Sequence, residues 1–214
     1  MKNFIEEKIF DYTISKSSKE PKILNELSRE TNLKILNPRM LSGHFQGRIL
    51  SLMSKIIRPK SVLEIGTYTG YSTICFSEGI DSDGVIHTID NNEQLLTIQN
   101  KYFKKAGITK NVIQYTGDAI EIINKLDFEF DLVFIDADKE NYNLYFDLII
   151  DKVKSGGIII ADNILWSGKI LDKVKDDDYA TKSIINFNNK INNDKRVETV
   201  ILPIRDGLSF IRKI

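Results

Sequence analysis

After Pro59, short apolar runs rich in β-branched residues alternate with longer stretches whose apolar residues recur at helical spacing. The runs are SVLEIG, GVIHTID, NVIQYTG, FDLVFIDAD and GGIIIADN, with helices predicted between them near 71–80, 92–106, 119–126 and 141–154. Strands separated by helices of that length need crossover connections, so they form βαβ units in a parallel sheet covered on both faces. VLEI, LVFI and GIIIA are almost continuously apolar, the pattern of strands buried from both sides. The last two runs, VETVILPI and LSFIRKI, stand only a few residues apart, with Arg205, Asp206 and Gly207 between them. That spacing leaves no room for a crossover helix and predicts an antiparallel hairpin.

Residues 1–58 read differently. FIEEKIFDYTI, ILNELSRETNL and ILSLMSKII carry helical periodicity, and Pro21, Pro38 and Pro59 fall in the breaks. No linker or repeat divides the chain, and 214 residues suit one domain, with an N-terminal helical segment (1–58) covering the strand-end site of an α/β core (59–214). No apolar run approaches the length of a membrane span. The N-terminus carries acidic residues and no apolar block, so it does not read as a secretory signal, and a cytoplasmic setting is expected. Cys75 has no partner for an internal disulfide and lies in the apolar stretch ICF, where it reads as a small buried hydrophobe. Net charge is zero, which gives no global case for nucleic acid, yet residues 1–60 hold twelve Lys/Arg against six Asp/Glu. A basic segment of this kind attracts an anionic substrate, RNA included, or simply forms solvated helix faces.

In an open α/β sheet, ligands bind outside the carboxyl ends of the strands. The first strand runs into Glu64-Ile65-Gly66-Thr67-Tyr68-Thr69-Gly70-Tyr71-Ser72, a G-x-x-x-G turn that lets the backbone approach a ligand closely. It is not the G-x-G-x-x-G dinucleotide fingerprint, and no Gly-Lys-Ser/Thr follows, so a ligand without phosphates fits better than NAD or ATP. The second strand ends at Asp90, whose carboxylate suits a pair of ribose hydroxyls and also the cap of the helix NNEQLLTIQN. The third ends in Gly117-Asp118-Ala119, where Asp118 suits an adenine amino group or, again, a helix cap. Together the turn, Asp90 and Asp118 have the spacing of an adenosyl-binding site.

The fourth and fifth strands end in Asp136 and in Asp162-Asn163. Adjacent parallel strands would bring these side chains to one edge of the sheet, and two carboxylates so close repel unless a proton or cation lies between them. An all-oxygen set with few protein ligands suits Mg²⁺, Mn²⁺ or Ca²⁺ and leaves positions for water and substrate. His44 and His87, the only histidines, fall outside this group, which argues against zinc. Lys139 follows Asp136 by three residues. Beside a metal cation its ammonium form is disfavoured, so it suits the role of general base, though the same lysine also reads as a surface residue opening a helix.

From MLSGHFQG (40–47) through VLEIGTYTGYS, FIDADKENY and ADNILWSGK to LPIRDGLSF, nearly the whole chain resembles the metal-dependent O-methyltransferases of the catechol and caffeoyl-CoA type, and within them the small bacterial branch. The resemblance implies a Rossmann-like class I methyltransferase fold: a seven-stranded, mostly parallel sheet with an antiparallel C-terminal hairpin strand and helices on both faces. It implies S-adenosylmethionine bound by Met40, Glu64, Gly66, Tyr68, Ser72, Asp90, Asp118, Ala119 and Asp136. It assigns Asp136, Asp162 and Asn163 to a divalent cation, Mg²⁺ first, and gives Asp136 and Lys139 catalytic roles. Trp166 and Lys139 would face the acceptor. One departure separates it from the catechol enzymes: Ala137 and Asp138 stand where those have bulky residues, so the pocket looks more like that of the caffeoyl-CoA and bacterial members.

The implied reaction is removal of a proton from a chelating hydroxyl by Lys139, followed by in-line attack of the oxygen on the sulfonium methyl. Holding the reacting atoms in place supplies about 7–11 kcal/mol of the barrier in well-oriented systems. A hydroxylated aromatic small molecule such as a catechol is the expected acceptor, and the hydroxylated uridine of a tRNA is the alternative. A cofactor-binding module without turnover and a dehydrogenase are the remaining readings. A homodimer is expected by resemblance.

Overall fold

The computed structural model describes residues 5–214, so Phe4, where the first predicted helix begins, and the residues before it lie outside the described residues. The sheet has seven strands in the order β3-β2-β1-β4-β5-β7-β6, numbered along the chain. The chain divides into two compact units, residues 11–119 and residues 120–214 together with 5–10. Its first helix, α1 (Glu7–Lys16), buries none of its residues.

The unit of residues 11–119 contains α2 (Lys22–Lys34), α3 (Gly43–Ile57), β1 (Ser61–Ile65), α4 (Tyr71–Ser77), β2 (Val85–Asp90), α5 (Leu96–Ala106) and β3 (Val112–Thr116). β1 pairs with β2 and β2 with β3, both parallel, with Glu64 opposite Thr88 and Asp90 opposite Thr116. Val62, Leu63, Ile65, Ile86 and Ile89 are buried in these strands, each such side chain contributing about 1.5–3 kcal/mol. α5 buries Ile98, Gln99, Tyr102 and Phe103, spaced as one helix face. Glu30 of α2 binds Lys101, Lys34 and Tyr102, which ties α2 to α5. Those bonds, Lys101 foremost and Lys34 next, hold the Glu30 carboxyl at about 2.

The other unit contains α6 (Ala119–Lys125), β4 (Phe130–Ile135), α7 (Tyr142–Ile149), β5 (Val153–Asp162), α8 (Tyr179–Asn193), β6 (Val197–Leu202) and β7 (Leu208–Lys213). β5 lies parallel to β4, while β7 runs antiparallel to both β5 and β6, so the expected C-terminal hairpin is present. Gly207 makes its turn possible: its φ is 90°, and a Cβ there would stand 2.4 Å from Leu165 Cγ. α8 starts where Asp178 accepts the Thr181 N–H at 3.0 Å, and it buries Thr181, Ile184, Phe187 and Ile191 at helical spacing.

The predicted helix over 141–154 is shorter in the structure. α7 ends at Ile149, one 3₁₀ turn follows, and β5 already begins at Val153 rather than at the Gly156-Gly157 pair. The register explains it. Phe130 pairs with Val153 but Leu132 with Ile158, so β5 carries extra residues opposite β4, and Gly156 at φ 80° lies in the bulge. Among the described residues, no helix is long and apolar enough to cross a membrane.

Candidate functional site

Each unit carries its own share of the predicted site residues. In the unit of residues 11–119, β1 ends and the backbone turns at Gly66, whose N–H donates to the Ile89 carbonyl at 2.9 Å. The turn closes where the Gly70 N–H donates to Thr67 O at 2.9 Å. Gly70 has a φ of 87°, and a Cβ there would meet the Phe103 ring at 2.5 Å, so only glycine lets the turn pack on α5. Tyr68 between the glycines also takes a positive φ of 48°, and the neighbouring bonds account for it. Its N–H donates to Asp90 Oδ2 at 2.6 Å, and its carbonyl accepts from Gln99 Nε2 at 2.7 Å. Its phenol hydroxyl faces the carbonyls of Leu36 and Asn37 at 3.1 and 3.3 Å, just before the 3₁₀ turn that ends at Met40.

Asp90 spends its other oxygen on the Asn92 N–H at 2.8 Å, while Asn92 itself caps the turn that follows. Asp90 is therefore the hub of two loops rather than the cap. Burial pushes its carboxyl above the usual aspartate range, against the pull of the Asn92 and Tyr68 N–H groups. Glu64, wholly buried, accepts from Thr73 Oγ1 at 2.5 Å and from Thr88 Oγ1 at 2.6 Å. Thr88 thereby uses its only proton on Glu64 and accepts from Thr67 Oγ1 at 2.5 Å. Ser72 is buried in α4, while Met40 and Asp118 are exposed, Asp118 standing beside Ala119 at the start of α6.

In the other unit, Ile135 pairs with Ala161, so the next residues, Asp136 and Asp162, stand at matching tips of two parallel strands. Asp162 is buried, and its Oδ1 accepts the N–H of Asn163 at 2.7 Å. Asn163 sits at φ 61°, the left-handed region that asparagine tolerates best among residues other than glycine. Lys139 Nζ donates to Asp136 Oδ1 at 3.0 Å and to Tyr142 Oη at 2.7 Å, with only a tenth of its side chain exposed. The Tyr142 hydroxyl faces the carbonyls of Asp162 and Ile135 at 3.0 and 3.2 Å. Burial, then the nearby Asp136 and Asp162 carboxylates, push the Tyr142 phenol well above its ordinary range, so it remains a neutral donor. Asp138 is occupied elsewhere, accepting from Tyr145 Oη at 2.5 Å and Asn141 Nδ2 at 2.6 Å.

The loop after Asn163 is backbone-strained. Trp166 and Ser167 both have positive φ, 46° and 55°. Asp206, buried in the β6–β7 turn, holds this loop: its carboxylate accepts the Ser167 N–H and its carbonyl the Leu165 N–H. Trp166 Nε1 is buried with no hydrogen-bond partner among the described residues.

Three supporting residues carried no signal that assigns them a role. Gln99 lies on the apolar face of α5 with ordinary helical spacing. Tyr142 and Asp206 fall inside the segments IDADKENY and LPIRDG, but their function depends on what folds against them. His44 contacts the Ser18 carbonyl and His87 the Tyr115 hydroxyl, each away from the carboxylate pair in sequence and in partners. Cys75 is buried, as read. Among the described residues, no group of three or more His, Cys, Asp or Glu side chains is arranged to hold a metal ion. The candidate set has two carboxylates and one amide oxygen, a composition suited to a hard cation that keeps water or substrate oxygens in its remaining positions.

Residues 14–214 match the family described as O-methyltransferase. The chain is 32% identical over 219 aligned residues to caffeoyl-CoA O-methyltransferase 5 of Nicotiana tabacum, covering 96% of this chain and 91% of that one. Its fold is similar to that of the SAH-bound Podospora anserina methyltransferase PaMTH1, with a TM-score of 0.88, 27% identity, and 97% and 94% of the two chains covered. It is likewise similar to the O-methyltransferase from Bacillus cereus in complex with SAH, with a TM-score of 0.85, 27% identity and 97% of each chain covered. The Rossmann-like class I methyltransferase fold expected from the sequence is the fold observed.

Proposed function

The chain belongs to the O-methyltransferase family, and from that premise we propose that it moves a methyl group from S-adenosylmethionine to a hydroxyl oxygen of a catechol-like or phenolic small molecule, assisted by a divalent cation. The observation that carries the reading is the parallel register of β4 and β5, which sets Asp136 and Asp162 at matching strand tips with Lys139 Nζ 3.0 Å from Asp136. The SAH-bound relatives of similar fold support the choice of methyl donor. The caffeoyl-CoA relative supports a phenolic acceptor.

Asp136, Asp162 and Asn163 would hold the cation, which when bound supplies Lewis acidity and a template for two acceptor oxygens. In the other unit, Asp90, held by the Tyr68 and Asn92 N–H groups among others, takes the ribose hydroxyls on its carboxylate. The Gly66–Gly70 turn gives the backbone its close approach to the donor. Lys139 removes the acceptor hydroxyl proton onto Nζ, and the oxygen then forms its bond to the methyl carbon as the carbon–sulfur bond breaks. The loop at Trp166, fixed by Asp206, forms one wall for the acceptor.

The test is transfer of labelled methyl from S-adenosylmethionine to catechols, caffeoyl esters and hypomodified tRNA, with Mg²⁺ and with chelator. Label on a catechol or caffeoyl ester supports the proposal. Label on tRNA alone replaces the acceptor, and no label on any of them removes the reading.

A further inference from the structure

Lys139 is held at two points, and one of them has no role in the reading above. Tyr142 follows it by a single 3₁₀ turn, so its ring lies beneath the side-chain nitrogen, with Nζ 4.8 Å from the ring centroid and 2.7 Å from Oη. The ring itself is fully buried and meets Phe187 edge-on at 5.5 Å, leaving the hydroxyl little freedom to move. A tyrosine hydroxyl has one proton and two lone pairs. Here the proton goes to the carbonyl of Asp162 or of Ile135, the last residues of β5 and β4, and a lone pair accepts from Lys139.

We propose that Tyr142 is a positioning residue: its hydroxyl anchors the Lys139 amine beside Asp136 while donating its one proton to a carbonyl at the tip of β4 or β5. Phenylalanine would fill the ring's place equally well, and burying a hydroxyl is unfavourable unless it is bonded, so the oxygen is explained by what it binds. The anchor persists through proton transfer. Nζ carries two hydrogens before it takes the acceptor's proton and three after, so an N–H for Tyr142 is present in both states. The inference rests on Lys139 being the proton acceptor.

Two replacements separate the anchor from the fold. Tyr142→Phe removes both functions of the hydroxyl. Replacement by 4-aminophenylalanine keeps N–H donors for the two carbonyls, but its delocalised nitrogen lone pair is a poor acceptor for Lys139. Both chains should show kcat lowered about 10- to 100-fold, the scale of a misplaced catalytic group, with KM for S-adenosylmethionine within about twofold of wild type. The aminophenylalanine chain should keep the wild-type unfolding temperature, so the test stands even where Tyr142→Phe fails to fold. Added to Lys139→Ala, the aminophenylalanine replacement should cause no further loss of kcat. A slow Lys139→Ala enzyme beside a folded aminophenylalanine chain at full kcat would overturn the anchor alone, as would losses that add in the double variant. Full turnover by Lys139→Ala would overturn the base and its anchor together.

Discussion

The backbone N–H of Tyr68 donates to the Asp90 carboxylate at 2.6 Å, and that bond fastens the tight turn after β1 to the tip of β2. Through the same residue the turn reaches Gln99 of α5 and the carbonyls that precede Met40. In the proposed function, Asp90 would thus shape the donor site as well as offer it a carboxylate.

Asp90→Ala should weaken S-adenosylmethionine binding at least tenfold, because it removes charge-assisted bonds worth about 1.5–3 kcal/mol and leaves the loop N–H groups of Tyr68 and Asn92 without their acceptor. Affinity should also fall on acidification sooner than for an exposed aspartate, since burial raises the pKa through which the carboxylate is lost. Calorimetric titration across pH measures both, and an unchanged dissociation constant would remove the ribose role.

Lys139→Ala should lower kcat by about 10²–10⁴, the usual range for loss of a general base, without changing affinity for S-adenosylmethionine. Part of the loss should return at higher pH, where the acceptor hydroxyl ionises unaided. A loss of the same size at every pH would mean that Lys139 positions the acceptor instead. Steady-state rates across pH decide it.

Asp162→Ala should abolish the Mg²⁺ response and leave S-adenosylmethionine binding near wild type. Asp162 lies at the tip of β5, where its Oδ1 accepts the adjacent Asn163 N–H. Rates measured against Mg²⁺ concentration, beside a binding titration, check the two halves separately. Full activity of this variant in chelator would end the metal assignment.

Much of this was legible in the chain. Continuously apolar VLEI, LVFI and GIIIA mark strands buried on both faces, and the short gap around Asp206 permits only a hairpin. The start of β5 was not legible: VKSGG has the look of a helix end and a glycine turn, and its strand character comes from pairing with Phe130 across a bulge. In the site, the carboxylates at strand ends announced themselves by position. Tyr142, Gln99 and Asp206 did not, because each acts through hydrogen bonds to partners brought to it by the fold.

Glu78 gives a test of stability. Its carboxylate binds Arg48 at 2.6 Å, Ser51 at 2.7 Å and Lys55 at 2.9 Å. Burial pushes the carboxyl up, but these bonds outweigh it and hold it at about 2, below the ordinary 4.5. A depressed pKa gives stability that is present above 4.5 and lost as pH falls toward 2. Glu78→Gln should therefore lower the unfolding temperature at pH 7 and make little difference near pH 2. Equal loss at both pH values in thermal melts would show that the charge is not what matters.

In the proposed function, oxygen-bearing side chains at two strand tips serve methyl transfer by holding a cation. The most direct measurement is the initial rate of label transfer from S-adenosylmethionine to a catechol as Mg²⁺ is titrated into chelator-treated wild-type protein. No transfer without the ion and a saturable rise with it are expected; full transfer in chelator, unchanged by Mg²⁺, would rule the cation out.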